Sequence, residues 1–210
     1  MLHKIRKNYQ LSELTEQSAS FDPFIQFENW LNDALSADEP EPTAMVISTV
    51  DNDMQPHSRV VLLKEFTPEG LVFYTNYLGN KGQQLENNPG ISALFFWASM
   101  ERQVRITGKA EKIPTEQSDE YFQSRPIESQ LGAWVSEQST VIPSPKYLTK
   151  RFEVFKQQFG DKIPRPTHWG GYLIRPDSFE FWQGRPNRLH DRLHYVVDTS
   201  GKWKRYRLAP

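Results

Sequence analysis

Three side chains at a spacing of two, Arg188, His190 and Arg192, follow directly on an aromatic-to-turn run, Phe181-Trp182-Gln183-Gly184-Arg185-Pro186-Asn187. On an extended chain they alternate with Leu189, Asp191 and Leu193 and point to one face. Such a row of donors repels itself unless an anion or a carboxylate lies against it. Glu180 and Asp191 are near enough in sequence to neutralise a single arginine as on any solvated face, but the density of the whole run points to a negative ligand. A second set, Tyr121, Arg125 and Ser129, steps by four, the spacing of one helix side, although Pro126 breaks the helix and puts the set across a helix end. Taken alone it reads as a solvated face with an ordinary arginine. A third stretch, Arg59-Val60-Val61-Leu62-Leu63-Lys64, has a cation at each end of an apolar strand, and alone it reads as a core strand with charged ends. Arg59 and Lys64 are an odd number of residues apart, so an ideal strand aims them at opposite faces. Either the strand twists or bulges, or the two meet different ligand groups.

What the chain lacks narrows the chemistry. It has neither Gly-x-Gly-x-x-Gly nor a phosphate loop ending Gly-Lys-Ser/Thr, which argues against a Rossmann-bound nicotinamide. It has no cysteine, which removes disulfides, thiolate metal sites and cysteine nucleophiles and fits a reducing cytoplasm. His190 and His194 have a zinc-like spacing, but that spacing serves a helix, and Pro186 and the Leu193–Val197 run argue for extended chain, so no metal site is expected. A formal net charge of -1 over 210 residues argues against a general nucleic-acid or membrane-surface binder. No stretch approaches the roughly 18 apolar residues of a membrane span, and Met1–Lys7 lacks the apolar core of a secretory signal, so a cytoplasmic location is expected.

These residues must be positioned by a chain that changes period twice. Residues 1–20 are polar with little periodicity and read as an N-terminal arm; residues 21–210 read as a single domain. Asp22-Pro23 starts an amphipathic helix with Phe24, Phe27, Trp30, Leu31 and Ala34 at helical spacing. Strands are expected at 44–50, 56–64 and 71–74, a short helix at 81–86, and a second hairpin at 91–97 and 102–110. Helices follow at 114–125, at 127–135 and from Ser144-Pro145, the last with Leu148, Phe152, Phe155 and Phe159 on one face. Strands return at 171–174, 179–182, 193–197 and 202–206. Strands, then helices, then strands describe an α+β domain built on an antiparallel barrel.

Glu180-Phe181-Trp182-Gln183-Gly184 followed by Arg188-Leu189-His190-Asp191-Arg192 resembles the C-terminal signature of the pyridoxamine 5′-phosphate oxidases, flavin enzymes that make pyridoxal 5′-phosphate. The resemblance extends from about Asp22 to Pro210. It implies an FMN-binding split β-barrel with peripheral helices, a homodimer with FMN at the subunit interface and a C-terminal dimerisation region. The implied reaction is oxidation of pyridoxamine or pyridoxine 5′-phosphate by dioxygen.

By the same resemblance, Arg59, Val60, Val61, Leu62, Leu63 and Lys64 lie along FMN. Tyr74, Thr75 and Lys81 serve its phosphate end, Gln103 reaches the ring edge, and Gln138, Ser139, Trp182 and Arg192 complete the pocket. Tyr121, Arg125 and Ser129, with Lys64, match the clamp on the substrate phosphate. Arg188 and His190 match the catalytic residues over the substrate ring, and Arg6 and Tyr9 match an N-terminal arm that covers the site. One departure is Asn80, where relatives commonly carry an arginine before the lysine; a looser flavin site is expected. Rival readings are a flavin oxidase of another aromatic substrate, of the phenazine type, and a non-catalytic flavin- or haem-binding barrel or pyridoxal-phosphate carrier.

Overall fold

In the computed structural model, which describes residues 1–4, 6–160 and 162–210, the first α-helix is α1 (Pro23–Ser36). The Asp22 carboxylate accepts the Phe24 N–H at 2.8 Å, and Pro23 sits in the first turn, where no N–H is needed. The buried face packs Phe27 against Phe66 and Phe95 and sets Trp30 edge-on to Phe181, so α1 plugs the core of the sheet.

Among the described residues nine strands form one antiparallel sheet: β1 (Ala44–Val50), β2 (Pro56–Leu62), β3 (Glu65–Thr67), β4 (Gly70–Asn76), β5 (Gly90–Trp97), β6 (Arg102–Lys112), β7 (Trp169–Gln183), β8 (Asp191–Val197) and β9 (Trp203–Arg207). The order is β2-β1-β5-β6-β7-β4-β3, with β8 on β7 and β9 on β8. The outermost strands of that path, β2 and β3, are consecutive in sequence, with only Leu63 and Lys64 between them. A sheet whose edges are joined by so short a link must curl on itself, which gives a split barrel and hides the edges. Leu63 turns into the core, and the Lys64 N–H donates to the Val72 carbonyl across the corner at 2.9 Å. The odd spacing of Arg59 and Lys64 is thus resolved by a corner, because β2 ends before Lys64.

The expected pair of strands at 171–174 and 179–182 is one strand, β7, bent in the middle. β6 pairs with it along one edge, while β4 takes residues 169–174 and β8 takes residues 178–183 of the other. Pro176, with no N–H to offer the ladder, lies where the register shifts beside Gly108. A Cβ on Gly108 would stand 2.0 Å from the Arg175 carbonyl oxygen, so glycine lets the two backbones close there.

Helices α2 (Asn80–Asn87), α3 (Thr115–Ser124), α4 (Ile127–Val135) and α5 (Pro145–Phe159) lie outside the barrel. Phe122, Leu131, Ile163 and Trp169 form a second small core beneath α3 and α4. α5 buries no residue fully; its expected aromatic face lays Phe155 and Phe159 on Trp134. The segment before α1 rests on the barrel: Leu14 and Ala19 belong to the main core, and the Tyr195 hydroxyl donates to the Ser20 carbonyl at 2.7 Å.

Extended chain from Arg188 to Arg192 is not what forms. Pro186–Arg188 is a single 3-10 turn in which Asn187 and Arg188 both have left-handed φ (58° and 63°), and β8 begins only at Asp191. Pro186 fixes one dihedral and Asn187 tolerates the left-handed region, so the chain rounds a corner before it extends. The three side chains therefore do not form one row.

Candidate active site

Two cavities gather most of the expected site residues, with Arg59, Leu63, Gln103, Ser139, Trp182 and Arg192 outside their linings. The first, about 660 Å³, opens between the β2 corner, β4, α2 and the α3–α4 junction. Val60, Val61, Leu62 and Lys64 come from the corner, Tyr74 and Thr75 from β4, Lys81 from α2, and Tyr121, Arg125 and Ser129 from α3, its end and α4; Gln138 and Trp169 complete the wall. Pro126 does break the helix: α3 ends at Ser124 and Arg125 is extended, yet all three members of the stepped set reach the same cavity. Three aromatic rings stack behind it, Tyr121 on Tyr74 at 3.8 Å and Tyr74 on Trp169 at 5.4 Å. Burial pushes the Tyr74 hydroxyl up to about 12.

Arg125 is gripped from both ends. Its carbonyl accepts a bond from the buried Gln130 amide at 2.8 Å, and its guanidinium lies 4.6 Å from the Trp169 ring centre. Its Nη1 is buried with no hydrogen-bond partner among the described residues. Burial lowers the pKa of Arg125 and of Lys81, with neighbouring Arg59 adding to the second shift. The lining holds Lys64, Lys81 and Arg125 and no carboxylate.

Lys81 Nζ donates to Gln138 Oε1 at 2.8 Å, and the Asn80 N–H, at the start of α2, donates to Ser139 Oγ at 3.2 Å. The Gln138-Ser139 loop is thereby docked on the N-terminus of α2, with Ser139 at a left-handed φ of 72°. Arg59 and Leu63 do not line this cavity. Arg59 turns behind β2, where Nη1 donates to Thr49 Oγ1 at 2.6 Å and Nη2 to Gln84 Oε1 at 3.2 Å, and Leu63 belongs to the core.

The second cavity, about 620 Å³, is lined by Arg6, Lys7, Asn8 and Tyr9 from the N-terminal segment and by Arg185, Asn187, Arg188 and His190 from the β7–β8 turn. It too has no carboxylate in its lining. His190 lies 4.7 Å from Trp182, and Tyr9 stands edge-on to both. The Arg185 backbone N–H donates to His190 Nδ1 at 3.1 Å, and since that N–H cannot accept, the imidazole proton sits on Nε2. Burial, then the Arg188 charge, hold His190 below its ordinary value.

Gln103, Trp182 and Arg192 are direct cross-strand neighbours on β6, β7 and β8 and so share a face beside this cavity. Arg192 is not a free cation: its Nε donates to the buried Glu180 at 2.9 Å and its Nη1 to the Ala209 carbonyl at 2.7 Å. Sequence reasoning missed Trp169, Lys7, Arg185 and Asn187, which line these cavities through tertiary contacts with no local signature.

The cavities share no lining residue. Trp169 in the first and Trp182 beside the second stand at opposite ends of β7, roughly 40 Å of strand at about 3.3 Å per residue. Among the described residues no helix is long and apolar enough to cross a membrane, and no cluster of metal-ligating side chains is present.

Comparison with known proteins gives the family and the fold. Residues 31–159 match the family model described as pyridoxamine 5′-phosphate oxidase, and residues 169–210 match the pyridoxine 5′-phosphate oxidase C-terminal dimerisation region. A pyridoxine/pyridoxamine 5′-phosphate oxidase of Gloeothece citriformis is 53% identical over 98% of this chain and 97% of its own length. One from Burkholderia multivorans is 50% identical over 100% and 99%. Among solved structures, PhzG from Burkholderia lata, in complex with tetrahydrophenazine-1-carboxylic acid, superposes with a TM-score of 0.89 at 27% identity, covering 96% of this chain and 100% of that one. An FMN-binding protein of Nostoc punctiforme related to pyridoxamine 5′-phosphate oxidase has the same fold, at TM-score 0.71 and 16% identity over 95% and 100%. With both halves of the chain matched and whole-length relatives at about half identity, this oxidoreductase belongs to the pyridoxine/pyridoxamine 5′-phosphate oxidase family.

Proposed function

We propose that the protein is an FMN-dependent oxidase that converts pyridoxamine 5′-phosphate and pyridoxine 5′-phosphate to pyridoxal 5′-phosphate. Dioxygen is the acceptor, giving hydrogen peroxide, with ammonia released from the amine. The observation that carries this reading is the buried, unpartnered Nη1 of Arg125 in a cavity with Lys64 and Lys81 and no carboxylate. Buried charge is tolerated only when paired, so the cavity favours an anionic ligand, which supports a phosphorylated substrate and cofactor. A charge-assisted bond to a phosphate oxygen contributes about 1.5–3 kcal/mol, which makes Arg125 worth roughly a ten- to hundredfold change in affinity.

The residues present fit FMN as well. Lys81, Thr75 and the docked Gln138-Ser139 loop would hold its phosphate end, and Gln103, Trp182 and Arg192 would meet its ring. When bound, FMN would supply the acceptor for hydride from the substrate's C4′ carbon and the route for those electrons to dioxygen. The chain's own contribution is positioning. Lys64, Tyr121, Arg125 and Ser129 grip the substrate phosphate, while Arg188 and the Nε2–H of His190 orient its ring. Arg192 is held in place by Glu180, which it shares with Arg105, and acts as a directed donor.

Two half-sites at opposite ends of β7 need a second copy of the chain. In a two-fold dimer the first cavity of one protomer would face the second cavity of its partner, giving two equivalent composite sites. The match to a dimerisation region supports this arrangement. The test is anaerobic addition of pyridoxamine 5′-phosphate to the FMN-loaded protein. Bleaching of the yellow flavin band, restored by air with release of pyridoxal 5′-phosphate, is expected. A band unmoved by the phosphorylated amine but bleached by a dihydrophenazine carboxylate would favour the phenazine-type reading instead.

A further inference from the structure

We infer that Glu101 is a positioning residue for the substrate: its buried carboxylate pins the N-terminal segment so that Tyr9 and Arg6 lie over Arg188 and His190. This rests on the functional reading above and adds a residue to it. Glu101 sits in the turn between β5 and β6, at a left-handed φ of 56°, and its side chain is only 2% exposed. Nothing on its own hairpin compensates the charge. Oε2 accepts the backbone N–H groups of Gln10 at 2.8 Å and Leu11 at 3.1 Å, and Oε1 lies 3.2 Å from Lys7 Nζ, all some 90 residues away in sequence. Burial pushes the carboxyl up, but the Leu11 and Gln10 N–H groups and Lys7 outweigh it and hold the group below its ordinary value. Were the segment to lift, a buried carboxylate would lose these three partners, which is the physical reason it stays down.

The same residue is tied to the catalytic turn. The Glu101 carbonyl accepts the Gly184 N–H at 2.8 Å and a bond from the Gln183 amide at 3.2 Å. Gly184 leaves the slot into which Tyr9 fits, since a Cβ there would stand 2.7 Å from Tyr9 Cγ and 3.0 Å from Glu101 Cβ. Lys7 Nζ also donates to the Ala98 carbonyl, at a long 3.5 Å, while Glu13 and the Ser12 carbonyl on Arg185 and the Leu14 N–H on Asp191 lie on the chain side away from Arg6, so Glu101 is the main polar anchor beside Tyr9. Removing its side chain should loosen the lid while the first-cavity residues assigned to the flavin phosphate, Thr75, Lys81 and Gln138, which have no contact with the Glu101 carboxylate, are unaffected.

The experiment uses the full-length, FMN-loaded protein as wild type, Glu101→Ala, Glu101→Gln, Tyr9→Ala and the Glu101→Ala/Tyr9→Ala double variant. Glu101→Ala should raise KM for pyridoxamine 5′-phosphate about tenfold, the effect of one charge-assisted bond, with kcat and FMN affinity unchanged. Tryptic cleavage after Lys4, Arg6 and Lys7 should be faster. Glu101→Gln keeps an oxygen for the two N–H groups but turns an amide toward Lys7, so it should fall between wild type and alanine; it also covers the case in which the alanine variant fails to fold. The two single effects on KM should be non-additive, because both act through the same segment. Wild-type cleavage, or faster cleavage with wild-type KM, or additive effects would each overturn the inference. A wild type that does not oxidise the substrate at all is a different failure: it sinks the functional reading and the substrate half of this one.

Discussion

A guanidinium nitrogen buried without a partner, as Arg125 Nη1 is, carries a desolvation cost that an anion in the cavity offsets. On the proposed reading the flavin-phosphate end is under-supplied at Asn80, which opens α2, is exposed, and offers its backbone N–H to Ser139 and no cation to the cavity. Asn80→Arg should therefore tighten FMN about tenfold, one charge-assisted bond, as measured by flavin titration; unchanged affinity would count against Lys81 and its neighbours as the phosphate end. His190 gives a pH signature. Its folded pKa is lowered, so its contribution to stability is complete above the ordinary 6.5 and is lost as pH falls through the folded value. The acid limb of kcat/KM and the NMR titration of His190 should both lie below 6.5, and a titration above it would contradict the Nδ1 bond from Arg185. At this scale the residue types were legible in the sequence. The row of Arg188, His190 and Arg192 was not, because Pro186 and Asn187 turn the chain and Glu180 already occupies Arg192.

The elements were legible wherever one partner decides the pattern. Asp22-Pro23 and the aromatic face of α1 announce the helix, and the hairpin β5–β6 follows its alternation. β7 was not legible as one strand, because Pro176-Asp177 has turn composition and only the change of partner from β4 to β8 explains it. Gly108 is what permits that bend. Gly108→Ala drives a Cβ against the Arg175 carbonyl and should destabilise by about 1–3 kcal/mol, as overpacking does. At roughly 2–4 °C per kcal/mol, thermal unfolding should shift down by several degrees. A variant melting with the wild type would mean that the bulge relaxes elsewhere.

For the whole molecule the decisive feature is that two cationic cavities stand at the two ends of one strand. The sequence named part of each lining, missing Trp169 in the first and Lys7, Arg185 and Asn187 in the second, and could not divide the two sets, since the division comes from the path of β7. Exposed Val60 and Leu62 in the first cavity and the match of residues 169–210 to a dimerisation region both favour closure by a second copy. Arg125→Ala and Arg188→Ala, each purified and assayed at substrate concentrations below the wild-type KM, should be homodimers of low activity that still bind FMN. Co-refolded in equal amounts they form mixed dimers as about half of the population, and each of these has one composite site with both wild-type halves. The account predicts that the mixture recovers about a quarter of wild-type turnover, the fraction of intact sites expected when assembly is random. A mixture no more active than its parents would place Arg125 and Arg188 in the same protomer's site and contradict it.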